Sequence, residues 1–428
     1  MPLSWVKNIE TLSSSKPRAD ALRILEAGYD AINTERIVQT HISVTDESIT
    51  VRGHTFDIRP FKNIYLMGFG KGSCVAINEL YNLLKTRVKK SVVIDRAVLT
   101  TCPVEIEAFA GTHPLPSETN VKATQVLMGV AEEAGEDDLV LVVVAGGGSA
   151  LLCSSIEECD QSTRLFEEFE RVGAPIEEVN LVRKHISSLK GGGLAEVLHP
   201  ATVVGLVFSD IVGGNPEEVA SGPTYYDAST IDDARAVLQR YGLESKFVLQ
   251  ETPKDRSHFE KVTNIVLISN EDALEAMGNV AHSIGYKSVI VPKPLYEFTQ
   301  EALQEIFSRG APGTVVLAGG EVRFKVPEDH GQGGRCQFFA LEALHMLGPR
   351  DIFVAAASDG RDNSEKAGAI VDQGTVERIA EQKINLEHHR ARADTIPAFE
   401  KTGDEILTGP TEANVSDWYF LLTPIDAP

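Results

Sequence analysis

Lys71 stands inside Gly68-Phe-Gly-Lys-Gly-Ser73, a cation among glycines where a short apolar run gives way to a helical pattern. Backbone N–H groups at a helix start already favour an anion, and an ammonium beside them concentrates the effect. Gly70 belongs to the same candidate phosphate contact. The stretch lacks the GxxxxGK[ST] spacing of a Walker A loop. It comes near the dinucleotide pattern GxGxxG, with Ser73 in place of the third glycine and Asp95 downstream as a candidate ribose partner. An NAD(P)H-dependent reductase therefore stands as the rival to a phosphate-transferring enzyme.

Further stretches carry the same kind of chemistry. Gly146-Gly147-Gly148-Ser149 follows the most apolar run of the chain, and successive N–H groups of such a turn, with the serine hydroxyl, form a nest for phosphate. Arg183, Lys184 and Lys190 supply three full positive charges with no acid between Arg183 and Gly193, the local basic spot that an anionic substrate needs. Helical pitch would pair Lys184 with Ser188 and Arg183 with Ser187. Asp210 follows another apolar run, a usual place for an acid that holds a metal or accepts a proton.

Downstream, Glu321 is a candidate substrate contact after Gly319-Gly320. Arg335 opens a helix, where its charge opposes the macrodipole unless an anion offsets it. Asp359 and Asp362, in SDGRDN, offer two carboxylates to a divalent cation.

Short apolar runs alternating with amphipathic segments position these residues, a pattern of parallel strands joined by helices. Strands are expected over 63–68, 91–99, 138–145 and 201–209, then over 265–269, 288–291, 314–318 and 351–357. Helices are expected over 73–84, 117–134 and 272–284. Residues 321–326 (EVRFKV) alternate with period two, which suits an edge strand of a mixed sheet. The fold class is α/β in two domains: a Rossmann-like doubly wound parallel sheet over 1–255 and an α/β domain with a mixed sheet over 256–428.

Subtracting 62 acidic from 40 basic residues leaves a charge of -22, which argues against a nucleic-acid or anionic-membrane partner held by bulk electrostatics. Five cysteines without CxxC spacing indicate neither a disulfide framework nor a cysteine zinc site. The apolar run 139–153 is too short to span a membrane, and no secretory signal is visible, so a cytoplasmic protein is expected.

Nine stretches together resemble the class II glycerate 2-kinases, whose C-terminal part is the MOFRL domain. They are MGFGKGS (67–73), GTHPLP (111–116), VAGGGSALL (144–152), VRKHISSLKGGGLA (182–195), SDIVGGNPEEVASGPT (209–224), LAGGEV (317–322), GQGGRCQFFALEAL (331–344), ASDGRDNSEKAGAIVD (357–372) and GPTEANVSD (409–417). The resemblance implies an active site in the interdomain cleft. It also implies phosphorylation of D-glycerate by ATP with Mg2+, typically to 2-phosphoglycerate, in serine, glyoxylate or sugar-acid catabolism. It assigns Lys71, Asp210 and Arg335 to the catalytic or phosphate-binding positions, with Asp210, Asp359 and Asp362 as metal candidates. A homodimer stays open.

Overall fold

The computed structural model describes residues 4–211, 213–411 and 413–425. They fall into two compact units, one over 34–268 and one joining the residues up to Asn33 to those from Ser269 onward. Val212 and Glu412, which lie within the 209–224 and 409–417 stretches, are outside the described residues.

The 34–268 unit begins with an antiparallel three-stranded sheet, β1 (Ile42–Val44), β2 (Ser48–Val51) and β3 (His54–Asp57), whose strands are too short to stand out in the sequence. A six-stranded parallel sheet follows: β4 (Asn63–Phe69), β5 (Val88–Asp95), β6 (Ile106–Ala110), β7 (Asp138–Ala145), β8 (Thr202–Phe208) and β9 (Val262–Ile268). Its spatial order is β6-β5-β4-β7-β8-β9. Every residue of β7 is buried, as expected of a central parallel strand covered on both faces, and its β-branched run suits that environment. The chain winds outward from β4 one way and from β7 the other, so strand order reverses between them. Ligands of open α/β sheets bind at such a reversal, beyond the carboxyl ends of the strands.

In the second unit β10 (Lys287–Ile290), β11 (Thr314–Gly320), β12 (Ile352–Ala357), β13 (Gly368–Val371), β14 (Glu405–Ile406) and β15 (Asp417–Thr423) form a mixed sheet. Their order is β10-β11-β15-β12-β13-β14, and only β10 and β11 run parallel. The helix Lys16–Ala31 belongs here, with partners from the far end of the chain. Gly28 lets it lie against Met277 and Trp418, and Tyr29 donates to the Ala357 carbonyl at 3.0 Å. Fully buried Arg18 bonds Asp404 at 2.9 Å and pairs with Asp372 at 3.2 Å. The division expected at 255/256 therefore differs twice. The first 33 residues join the later unit, and the sixth parallel strand extends the earlier one to Ile268.

Two further expectations are corrected. Strand β5 spans 88–95 and stops at Asp95, which accepts N–H bonds from Cys74 and Arg96 instead of continuing a ladder. Residues 321–326 form no strand; Arg323 makes one isolated bridge to Phe298, and the antiparallel character of the sheet comes from β12–β15. Alternation there reflects side-chain duties, since Val322 is buried while Glu321 turns to an arginine. No helix among the described residues is long and apolar enough to cross a membrane.

Candidate active site

The two glycine loops of the 34–268 unit meet at the reversal of strand order. Gly70, at φ +115°, lies so close to the Ala145 carbonyl that no side chain fits, and Lys71 N–H donates to the Gly146 carbonyl at 2.9 Å. Only glycine adopts such a φ without strain. Ser73 fills the place of a third glycine by donating its hydroxyl to the Gly70 carbonyl at 2.7 Å, so it locks the turn before the helix Ser73–Leu84. Asp95 receives the Cys74 N–H at 3.0 Å and serves as an anchor for that helix. A ribose would have to displace this bond, which removes the main support for a dinucleotide fingerprint.

Three side chains converge on the second loop. The Asp210 carboxylate sits against Gly146 and leaves no room for a Cβ there. Gly147, at φ +78°, faces the His113 ring and the Lys71 stem; a Cβ would lie 3.2 Å from His113 Nε2 and 3.5 Å from Lys71 Cγ. Ser149 shares a 2.9 Å hydroxyl bond with Ser221. Ala220 and Ser221 both hold positive φ, at +51° and +61°, a strained pair that the surrounding loops must enforce. Enforcement comes from the triple glycine: Gly191 and Gly192 N–H donate to the Ser221 and Gly222 carbonyls at 2.9 and 2.8 Å. Gly191–Gly193 is thus scaffold.

The basic stretch separates into different fates. The helix Ile176–Lys184 ends before Ser187 and Ser188, so the expected helical pairings with Arg183 and Lys184 do not form. Lys184 pairs with Glu218 at 2.8 Å and Asp227 at 3.6 Å. Lys190, expected to touch substrate, is fully buried and donates to Glu158 Oε1 at 2.6 Å, the Leu152 carbonyl at 2.8 Å and the Ser187 hydroxyl at 3.2 Å. An ammonium has three protons, and all three have protein acceptors. That expectation is corrected: Lys190 is a structural cation. Arg183 differs, since its polar partner is the neutral Asn180 Oδ1 at 2.6 Å. Burial pushes its guanidinium down to about 10, with Glu218 opposing.

His113 was absent from the residues singled out in the sequence, although it lies in GTHPLP. It follows β6, and burial together with Lys71, Arg96 and Arg183 lowers its imidazole to about 4. The ring is therefore neutral at physiological pH. The signal that could have found it is a histidine in a short loop after a parallel strand, beside a glycine.

In the other unit Arg335 opens the helix Arg335–Ala343, as expected. The anions that offset its charge are protein carboxylates: Asp417 at 2.6 Å from Nε and Glu321 at 3.1 Å from Nη1. Burial and Glu321 hold Asp417 up at about 6 against the attraction of Arg335. Asp362 is buried, and its two oxygens accept the N–H groups of Cys336 and Gln337 at 3.0 and 2.8 Å. It caps the helix, and burial raises it to about 7. The expectation of Asp362 as a metal ligand is corrected on that ground. Asp359 accepts the Arg361 N–H at 3.0 Å. No cluster of three His, Cys, Asp or Glu side chains occurs among the described residues. Mg2+ characteristically keeps waters and phosphate oxygens and needs only one or two carboxylates, so Asp210 beside the glycine loop fits that mode of binding.

Residues 20–251 match the family model described as a domain of unknown function, DUF4147, and residues 314–417 match the MOFRL family. A glycerate 2-kinase of Pyrococcus horikoshii is 30% identical, the alignment covering 93% of this chain and 96% of that one. A D-glycerate 2-kinase of Thermotoga maritima is 32% identical over 83% of this chain and 89% of its own. The crystal structure of a Thermotoga maritima glycerate kinase superposes with a TM-score of 0.82 at 28% identity, covering 94% of this chain and 98% of that one.

Proposed function

Since the chain belongs to the glycerate kinase family that joins DUF4147 to MOFRL, we propose that it phosphorylates D-glycerate with ATP, giving 2-phosphoglycerate. The observation that carries this is the meeting of Gly70–Lys71 with Gly146–Gly148 at the strand-order reversal, with Asp210 against Gly146. Phosphoryl transfer asks little covalent chemistry of a protein; it asks for cations around the moving phosphate and a carboxylate at the attacking hydroxyl.

The glycine nest and Ser149 would cradle nucleotide phosphate, Lys71 would follow charge onto the transferred group, and Arg183 would draw the substrate's anionic end. The substrate oxygen bonds to the terminal phosphorus, the bond to the bridging oxygen breaks and ADP leaves. Asp210 orients the hydroxyl and receives its proton. Asp210 would be the carboxylate that holds Mg2+ with the nucleotide, and the ion would supply further neutralisation of phosphate charge. The family resemblance also assigns a part in the reaction to Arg335, which in its own unit is braced by Asp417 and Glu321. Asp95, tied to the helix 73–84, argues against NAD(P)H-dependent reduction of hydroxypyruvate.

Phosphorus NMR after incubation with ATP, Mg2+ and D-glycerate should show 2-phosphoglycerate. Lys71→Ala should lower turnover at least ~100-fold, as loss of a transition-state charge partner does. NADH oxidation with hydroxypyruvate and no phosphorylated product would refute the kinase assignment.

A further inference from the structure

An anionic pocket ligand can be held by cations, but a hydroxyl on that ligand also needs an acceptor for its proton. Ammonium and guanidinium groups have none. Around Gly146 and Gly147 the Asp210 carboxylate lies against the first glycine and the His113 ring against the second, and both can accept, whereas the hydroxyls of Ser149 and Ser221 are shared with each other. Glycerate carries two hydroxyls, and only one is phosphorylated. The other must lose its water hydrogen bonds on entering the site, and it costs binding energy unless a protein group replaces them.

His113 is held for this. Asn120, fully buried, accepts the Thr112 N–H at 2.8 Å and donates to the Thr112 and Ala150 carbonyls, both at 2.9 Å. One amide therefore ties the His113 loop to the short helix that follows Gly147. Thr112 closes the same loop by donating its hydroxyl to the Leu115 carbonyl at 2.8 Å. No hydrogen bond of either His113 ring nitrogen occurs among the described residues, and the Cδ2–Nε2 edge of the ring lies against Gly147 beside the Lys71 stem.

We propose that His113 is the neutral acceptor for the glycerate hydroxyl that is not phosphorylated, and that it sets the preference for a dihydroxy acid over a monohydroxy acid. Burial, with the three cations near the ring, keeps it unprotonated, so a lone pair stays available, and the same surroundings make it too weak a base for the transfer step. His113 is a specificity residue, whereas Asp210 faces the reacting hydroxyl. This rests on the glycerate kinase reading, and binding measurements separate the two.

The test compares dissociation constants for D-glycerate and for D-lactate, the same acid without its 3-hydroxyl, by calorimetry on the full chain. The wild type should bind glycerate at least ~10-fold tighter, since a site built to bond a hydroxyl rejects the analogue lacking it. His113→Leu should bring the two constants within about threefold by weakening glycerate alone. His113→Gln, which keeps an acceptor near the Nε2 position, should restore most of the difference. An unchanged glycerate-to-lactate ratio in His113→Leu, or equal failure of Leu and Gln, overturns the proposal. If His113→Leu does not fold, nitrogen NMR of the wild-type histidine decides: glycerate should shift the His113 ring signals and lactate should not, and equal response to both acids overturns it. Selective glycerate binding without phosphoglycerate formation would sink the kinase reading and leave His113 standing.

Discussion

Replacing Lys190 by alanine separates a structural cation from a substrate ligand. The ammonium is fully buried, and Glu158, 2.6 Å away, is 4% exposed. Removing the cation leaves that carboxylate with the Ser154 N–H and hydroxyl but no opposite charge. Breaking a buried pair from one side costs about 3–5 kcal/mol. For a unit of this size each kcal/mol moves the melting temperature by about 2–4 °C, so a fall of roughly 6–20 °C is expected. Removing both charges with Lys190→Met and Glu158→Gln should recover most of the loss, because no buried charge remains.

The pH dependence has a definite sign. In the wild type burial pushes Glu158 up, but Lys190 and the bonds from Lys190, Ser154 and Ser187 overcome it and leave it below its ordinary value. The pair's contribution is therefore present above the unfolded carboxylate range and is lost as pH falls through the lowered value. In Lys190→Ala only burial and the serine bonds remain, so Glu158 should rise. The folded variant then gains a proton on acidification, and its deficit should shrink between pH 8 and pH 4. Differential scanning at both pH values, with the Michaelis constant for the acid substrate, reads this out. A melting temperature within 2 °C of wild type at pH 8, with a tenfold rise in that Michaelis constant, would refute the structural assignment.

Arg18→Ala should cost about 1.5–3 kcal/mol by removing the charge-assisted contacts to Asp404 and Asp372, less than a stranded charge because Arg378 still pairs with Asp404 at 2.6 Å, and limited proteolysis should then begin within the first 33 residues. Gly146→Ala should lower turnover about 100-fold with little change in melting, because its Cβ displaces Asp210 from the site. Gly129→Ala, on an exposed helix face with open space around it, should instead stabilise by about 0.5–1 kcal/mol and leave turnover alone. In histidine NMR, His113 should stay neutral from pH 5.5 to 8, and Arg183→Gln should raise its midpoint from about 4.

Legibility followed the physics of each signal. Short valine-rich runs such as 138–145 read as buried strands of an α/β protein, and β7 spans those very residues. The helix 73–84 was equally readable, because glycines bound it on one side and its apolar period defines the rest. Short antiparallel strands such as β1–β3 carry too few residues for alternation to rise above chance. Partition of the chain was the hardest to read. Arg18 finds Asp404 and Asp372, and Tyr29 finds Ala357, across more than 300 positions, and no local pattern encodes such pairings. EVRFKV shows the opposite failure: it alternates with period two, yet only Val322 is buried, Val326 is exposed, and no ladder forms.

The candidate site shows why residue type alone misassigns cations. Lys71, Arg183, Lys184, Lys190 and Arg335 look equivalent as charges beside glycines or at helix ends. What distinguishes them is the partner each receives. A cation held by carboxylates contributes little net field, and that describes Lys184, Lys190 and Arg335. Arg183 hydrogen-bonds a neutral amide and feels the Glu218 carboxylate through space, and its charge acts with those of Lys71 and Arg96 at His113. The depressed imidazole thus reports burial first, and then the positive charges of Lys71, Arg96 and Arg183 around it. Because anions follow local potential and not residue count, the three cations that act on His113 should draw the anionic substrate to Gly147 within the 34–268 unit, despite a chain charge of -22.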